Sequence, residues 1–300
     1  MRLTQTTQTV LSRYANDFPM QGPSGLEQYM TIHRQLIEVG NQYQTLLLDG
    51  FGVLNVGNQA VPGMVEAIST LQRRGIRCIV LTNGATGRSQ EVAAKFSSLG
   101  YELPEIVSSR DVLIWAMQQR GYQRVGFSKT NVPLDDMPFE VVEIKEGLVP
   151  DNIDAAVLLS TMIWQDDFTD HWVDSLQGRR LPIWCANPDL GAPFEKEVTV
   201  EPGEIALQVI ARCGCEIEFV GKPFACTYDY VFSRYSSLDP SKTLMVGDTL
   251  HTDILGANRY GIDTALMLDY GYFAGDFVHW QSYARDCGIF PNYLITEHLP

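Results

Sequence analysis

From residue 44 onward the chain alternates short apolar runs with amphipathic stretches. The runs Thr45–Leu48, Ile76–Leu81, Ala155–Leu159, Ile183–Ala186, Ile217–Val220, Thr243–Val246 and Thr264–Leu268 are each four to six residues long and predict strands. Between them, Gly63–Arg73, Ser89–Leu99, Val112–Gln119, Ile205–Arg212, Tyr228–Ser236 and Ile254–Tyr260 repeat their apolar positions at helical spacing. Strands alternating with helices of about ten residues imply βαβ units and an α/β fold, a parallel sheet covered by helices on both faces. In such sheets chemistry gathers beyond the C-terminal strand ends. Asp49, Asn83 and Asp248 each follow a predicted strand directly, so all three are expected on one rim.

Residues 1–42 read as an N-terminal helical extension. Leu26, Tyr29, Met30, His33, Leu36 and Ile37 share one helical face, Gly40 stops it, and the helix is expected to cap an edge of the main core. His33 belongs to that apolar face and reads as a packed histidine. The stretch from about 110 to 200 is less regular and carries Pro133, Pro138, Pro150, Pro182 and Pro188. It reads as a second α/β unit, residues 111–200, inserted into a core made of 43–110 and 201–300. Trp164 and Trp172 are expected in the small core of that insertion.

A net charge of −14 and a pI near 4.7 exclude nucleic acid as the expected partner, since phosphate neutralisation needs clustered Lys and Arg. A small phosphorylated ligand stays open, because a metal ion and one or two cations can hold it locally. The six cysteines have no zinc-type spacing and read as reduced thiols. The N-terminus has no apolar signal core, and no stretch approaches the ~20 apolar residues of a membrane helix. The expectation is a cytoplasmic protein with no membrane partner; a homo-oligomer is neither required nor excluded.

Four short segments carry candidate chemistry. In Asp49-Gly50-Phe51-Gly52 a strand-terminal carboxylate sits beside two glycines that permit a tight turn and close approach to a ligand. A dinucleotide-binding G-x-G-x-x-G is excluded, because Asn55 stands at its third glycine and no helix opens after Leu54. Thr82-Asn83-Gly84 offers a hydroxyl and backbone amides at a strand end, a good oxyanion corner. Lys222, in Gly221-Lys222-Pro223, could neutralise a transferring phosphoryl group. Asp248 and Asp253, five residues apart around a strand end, are hard oxygen donors that suit Mg²⁺, with Asp49 supplying a further oxygen.

These four motifs in this order resemble the haloacid dehalogenase (HAD) superfamily over about residues 43–270. The place of the insertion, together with Ala186-Asn187-Pro188-Asp189 and Pro202-Gly203-Glu204, is similar to subclass IIA, the NagD-like group with an α/β C2 cap. The resemblance implies a Rossmann-like three-layer core with an inserted C2-type cap. It also implies Asp49 as nucleophile, Lys222 as its charge partner, and Thr82, Asn83 and Gly84 around the phosphoryl group. Mg²⁺ would be held by Asp49, Asp248, Asp253 and the backbone carbonyl of Phe51.

One departure matters. Phe51 stands where most phosphatases of the superfamily carry the general acid/base Asp. Proton transfer of that kind is worth about 10²- to 10⁴-fold in rate. His251, the only histidine inside a motif, is one candidate replacement; an acidic residue of the cap is another. The leading expectation is a Mg²⁺-dependent phosphatase of a small, sugar-phosphate-like metabolite, working through an aspartyl-phosphate. The alternatives are a phosphometabolite-binding protein with little turnover, and a C–halogen or C–P bond hydrolase.

Overall fold

The computed structural model describes residues 4–165, 167–194, 197–274 and 279–297. The chain forms two compact units: one holds residues 4–18, 83–88 and 108–221, the other 19–82, 89–107 and 222–297.

The second unit is built on a seven-stranded sheet. Its order is Thr31–His33, Tyr293–Ile295, Asp263–Met267, Thr243–Gly247, Thr45–Leu48, Arg77–Thr82, Ile106–Ser108. The pairings from Thr31–His33 across to Arg77–Thr82 are parallel. The central strands are apolar on both faces because both faces are covered. Ala265 and Met267 join the cluster of Leu46, Leu48, Ile68, Val80 and Val246, while Leu266 joins Leu250, Ile254, Phe273 and Trp280 on the opposite face. That alternation is the two-residue period of a strand.

The first unit holds a five-stranded parallel sheet in the order Ile217–Phe219, Ile183–Cys185, Ala155–Leu158, Arg124–Ser128, Glu140–Ile144. Trp164 and Trp172 are buried beside each other in its core. A three-stranded antiparallel sheet joins Thr4–Gln5 to Glu197–Val200 and Gly191–Phe194. The helix Thr7–Asn16 follows, with Thr6 as its side-chain cap.

Two sequence expectations need correction. Leu26 to Ile37 is not one helix. It holds a short 3₁₀ turn at Glu27–Tyr29, the edge strand Thr31–His33, and helix only at Leu36–Gly40. Leu26, Tyr29 and Ile32 are exposed instead of facing the core. The strand owes its existence to Tyr293–Ile295, a partner some 260 residues away that no local periodicity can reveal. His33 lies on that strand beside Glu38 and Tyr293. The boundaries of the insertion also shift. Ile217–Phe219 pairs with Ile183–Cys185, so residues 201–221 belong with the inserted unit and not with the core, and residues 4–18 do as well. An apolar run announces a strand but not the sheet that strand joins.

Among the described residues, no helix is long and apolar enough to cross a membrane.

Candidate active site

Thr45–Leu48 lies between Thr243–Gly247 and Arg77–Thr82, with Leu48 in register with Val246 on one side and Val80 on the other. That register brings Asp49, Asp248 and Thr82 to the same end of three adjacent strands. The Asp49 amide donates to the Val246 carbonyl at 2.9 Å, which extends the pairing to the carboxylate itself.

Past Asp49 the chain folds into a tight turn. The amides of Leu54 and Asn55 both donate to the Gly50 carbonyl, at 2.8 and 3.0 Å, and the Gly52 amide donates to the Asn55 carbonyl at 2.9 Å. Gly52 has φ 75°, and a Cβ there would lie 2.5 Å from Asp248 Oδ2. Gly271, φ 94°, approaches the same carboxylate from the loop after Asp263–Met267, and a side chain there would collide with it. Both positions need glycine for conformation and for space.

The second turn is built differently. Leu250–Ile254 is a π-helical turn, in which the Thr249 carbonyl accepts from the amides of both Asp253 (3.1 Å) and Ile254 (3.3 Å). The wide turn folds the Asp253 side chain back to the strand end. Asp253 Oδ2 accepts from the amides of Asp248 and Thr249, at 3.2 and 3.1 Å. Asp253 Oδ1 accepts from Lys222 Nζ at 2.6 Å, and the same ammonium donates to Asp49 Oδ1 at 2.7 Å. Asp248 is held by the Thr249 hydroxyl (3.0 Å) and the Tyr272 amide (3.1 Å).

Asp248, Asp253 and Lys222 are buried, and Asp49 is the most open of the four. Burial disfavours the Lys222 charge, but Asp253 and Asp49 outweigh it and hold the ammonium pKa above its ordinary value. Burial, then the Asp49 and Asp253 charges, push the Asp248 carboxyl well above the usual range. Burial raises Asp253 too, against the pull of Lys222.

Oxygens of Asp49, Asp248 and Asp253 lie within 4.8 Å of one another. Fully ionised, the three carboxylates would carry two more negative charges than Lys222 offsets, and the raised Asp248 and Asp253 carboxyls express that surplus. Hard oxygen donors, a charge deficit and two glycines that keep the approach to Asp248 open fit a small divalent cation such as Mg²⁺.

The structure therefore gathers Asp49, Lys222, Asp248 and Asp253. Phe51 is half-buried within the first turn, its backbone bridged to Asn55. Thr82 ends the neighbouring strand. Asn83 and Gly84 fall in the other unit, where buried Asn83 donates through Nδ2 to Asp189 Oδ1 at 2.8 Å.

His251 does not suit the acid/base role considered for it. It is 1% exposed, and its Nδ1 shares a 3.1 Å hydrogen bond with the Tyr283 hydroxyl. Burial lowers its pKa to about 4, so the ring is neutral at pH 7.

Two contributors escaped the sequence reading. The Gly271-Tyr272 backbone holds Asp248; a glycine shortly after a predicted strand was the available signal. Lys95, on the helix Ser89–Ser98, donates from Nζ to Asn55 Oδ1 at 3.2 Å. Nothing in the local sequence separates Lys95 from an ordinary surface lysine.

The profile of the haloacid dehalogenase-like hydrolases matches residues 46–131, and a HAD-hydrolase-like profile matches residues 219–279. Chronophin of Mus musculus is 28% identical over 253 residues, 78% of this chain and 83% of its own length. Among solved structures, 4-nitrophenylphosphatase from Thermotoga maritima superposes with a TM-score of 0.71 at 20% identity, covering 86% of this chain and 95% of that one. Glycerol phosphate phosphatase from Mycobacterium tuberculosis, in complex with magnesium, gives a TM-score of 0.63 at 22% identity, over 78% and 70% of the two chains.

Proposed function

The chain belongs to the haloacid dehalogenase superfamily, and on that footing we propose that it is a Mg²⁺-dependent phosphatase of a small phosphorylated metabolite, sugar-phosphate-like in kind. The observation that carries this reading is the hydrogen-bonded set Asp49–Lys222–Asp253 with Asp248 beside it, gathered where the adjacent parallel strands Thr45–Leu48 and Thr243–Gly247 end. Two further relatives of this chain support it by their names, D-glycerol 3-phosphate phosphatase of Mycobacterium tuberculosis and acid sugar phosphatase of Staphylococcus saprophyticus.

Lys222 binds Asp49 Oδ1, which fixes the carboxylate and presents Oδ2 to phosphorus. A carboxylate nucleophile splits ester hydrolysis into two displacements through an aspartyl-phosphate. Lys222 stays charged throughout and offsets negative charge on Asp49 and the phosphoryl oxygens. Thr82, at the end of the strand beside Thr45–Leu48, offers its hydroxyl to the phosphoryl oxygens. Asp253 acts through others: it seats Lys222 and, through two amides, the backbone that carries Asp248. Mg²⁺ held by Asp49, Asp248, Asp253 and the Phe51 carbonyl would neutralise phosphoryl charge and orient the ester.

Phe51 favours a second reading, a phosphometabolite-binding protein with little turnover. The retained, buried Asp248 and Asp253 count against the C–halogen reading, which needs no metal.

The test uses p-nitrophenyl phosphate, acetyl phosphate and sugar phosphates, each with Mg²⁺ or EDTA. Phosphate release that needs Mg²⁺ and disappears in Asp49→Asn is expected. Release that survives Asp49→Asn overturns the mechanism. Thermal stabilisation by a phosphorylated ligand with no phosphate released selects the binding protein.

A further inference from the structure

Phe51 has no proton to give and the His251 ring is buried against the Tyr283 hydroxyl, so another group within reach of the first turn has to move the proton. Asn55 is buried and rigidly placed in that turn: its amide donates to the Gly50 carbonyl, its carbonyl accepts from Gly52, and its Nδ2 donates to the Gly57 carbonyl at 2.8 Å. The remaining side-chain atom, Oδ1, receives Lys95 Nζ. That oxygen is 3.9 Å from where a Cβ on Gly50 would stand, and the Phe96 ring is 3.4 Å from the same point. The Lys95 ammonium is 5.3 Å from the centre of that ring. The cation is thus moored beside Gly50, the residue between Asp49 and Phe51, and Gly50 interposes no side chain.

We propose that Lys95 carries the proton transfer that Phe51 cannot. This rests on the phosphatase reading above. As Asp49 Oδ2 bonds to phosphorus, the phosphorus–leaving-oxygen bond breaks and its electron pair goes to the leaving oxygen. That oxygen takes a proton from Lys95 Nζ, leaving a neutral amine. Water then attacks the phosphorus of the aspartyl-phosphate, the amine accepts a proton from it, and Asp49 and inorganic phosphate are released.

The residue suits this work. An ammonium has three N–H donors, so one can serve Asn55 and another the substrate. The side chain as a whole is exposed and therefore reachable, while its ammonium end is turned inward. Burial of that end lowers its pKa, and the Asp49 charge opposes the shift. A lysine brought down toward the working pH is a better acid/base than a free one. The plainer role for Lys95 is a strut that holds Asn55 and the turn. The two roles differ in their dependence on the leaving group, because a good leaving group departs without a proton and a poor one does not.

The experiment compares the full-length protein with Lys95→Met and Lys95→Arg, using p-nitrophenyl phosphate and an alkyl phosphate such as glycerol phosphate, with Asp49→Asn as the control. The expected result is that Lys95→Met loses about 10²-fold in kcat on the alkyl ester and only a few-fold on p-nitrophenyl phosphate. Lys95→Arg keeps the charge but cannot give up its proton, so it should recover the aryl ester and not the alkyl one. Equal losses on both esters, no loss on either, or full recovery by Lys95→Arg overturn the role of Lys95 and leave the phosphatase reading standing. A wild-type protein inert toward both esters overturns the phosphatase reading, and the role of Lys95 with it.

Discussion

Two turns leave neighbouring strands at the same end of the core sheet, and they have kept different halves of one chemistry. In the turn after Thr243–Gly247, Asp248 and Asp253 are buried, and the hydrogen bonds to Thr249, Tyr272, Lys222 and the strand-end amides fix them. Its polar groups serve charge placement. In the turn after Thr45–Leu48, Asp49 is more open, and the position that would hold a second carboxylate carries Phe51. The difference separates two tasks: a buried, fully engaged cluster can hold a cation, but proton transfer needs a group that reaches solvent and substrate. Lys95, moored to Asn55 from outside the turn, is in a position to provide that reach.

The most severe perturbation is Asp49→Asn, which keeps the shape of the first turn and removes the nucleophile. A fall in kcat on the order of 10⁴-fold or more is expected in steady-state assays, with Mg²⁺-dependent stabilisation reduced but the fold intact. Next comes the link between the turns. Lys222→Met leaves Asp49 and Asp253 facing each other without their cation, and breaking a buried pair costs about 3–5 kcal/mol. Urea unfolding in EDTA should show that loss; an unchanged midpoint would mean the ammonium does not hold the two turns together.

How far this was legible in the sequence follows from the same two turns. Asp49 and Asp248 follow continuous apolar runs, and a parallel sheet buried on both faces puts such ends on one rim; Lys222 follows a run whose strand joins the other sheet, and Asp253 lies five residues past Asp248. That much is local pattern plus fold class. The bonding between them is not, because Lys222 meets Asp49 across 173 residues. Thr31–His33 was hidden for the same reason, and Ile217–Phe219 was legible as a strand but not as part of the inserted sheet. His251 stood in the right motif, yet the π-helical turn sends its ring to Tyr283, and residue order alone does not fix that direction. Lys95 had no mark at all; its meaning comes from Asn55, 40 residues away.

Two smaller effects sharpen the contrast. Phe51→Asp should restore a proton donor to the first turn and raise turnover of alkyl phosphates by about 10-fold or more, within the span of general acid–base help. It should also rescue Lys95→Met on those esters. A folded Phe51→Asp protein with unchanged rates would remove Phe51 from the account. The least effect belongs to His251→Gln: turnover should hardly change, while thermal unfolding registers the lost Tyr283 hydrogen bond, about 0.5–1.5 kcal/mol. A collapse of activity with the stability retained would return His251 to the chemistry.

The central claim is that Asp49 forms a covalent phosphoryl ester. Acid-quenching the protein during turnover of p-nitrophenyl phosphate, reducing it with borohydride and mapping the peptides tests this directly. An aspartyl-phosphate is reduced to homoserine, so the account predicts that mass change at residue 49, only when substrate and Mg²⁺ are both present. Phosphate release with Asp49 unmodified, or the change at another carboxylate, would contradict it.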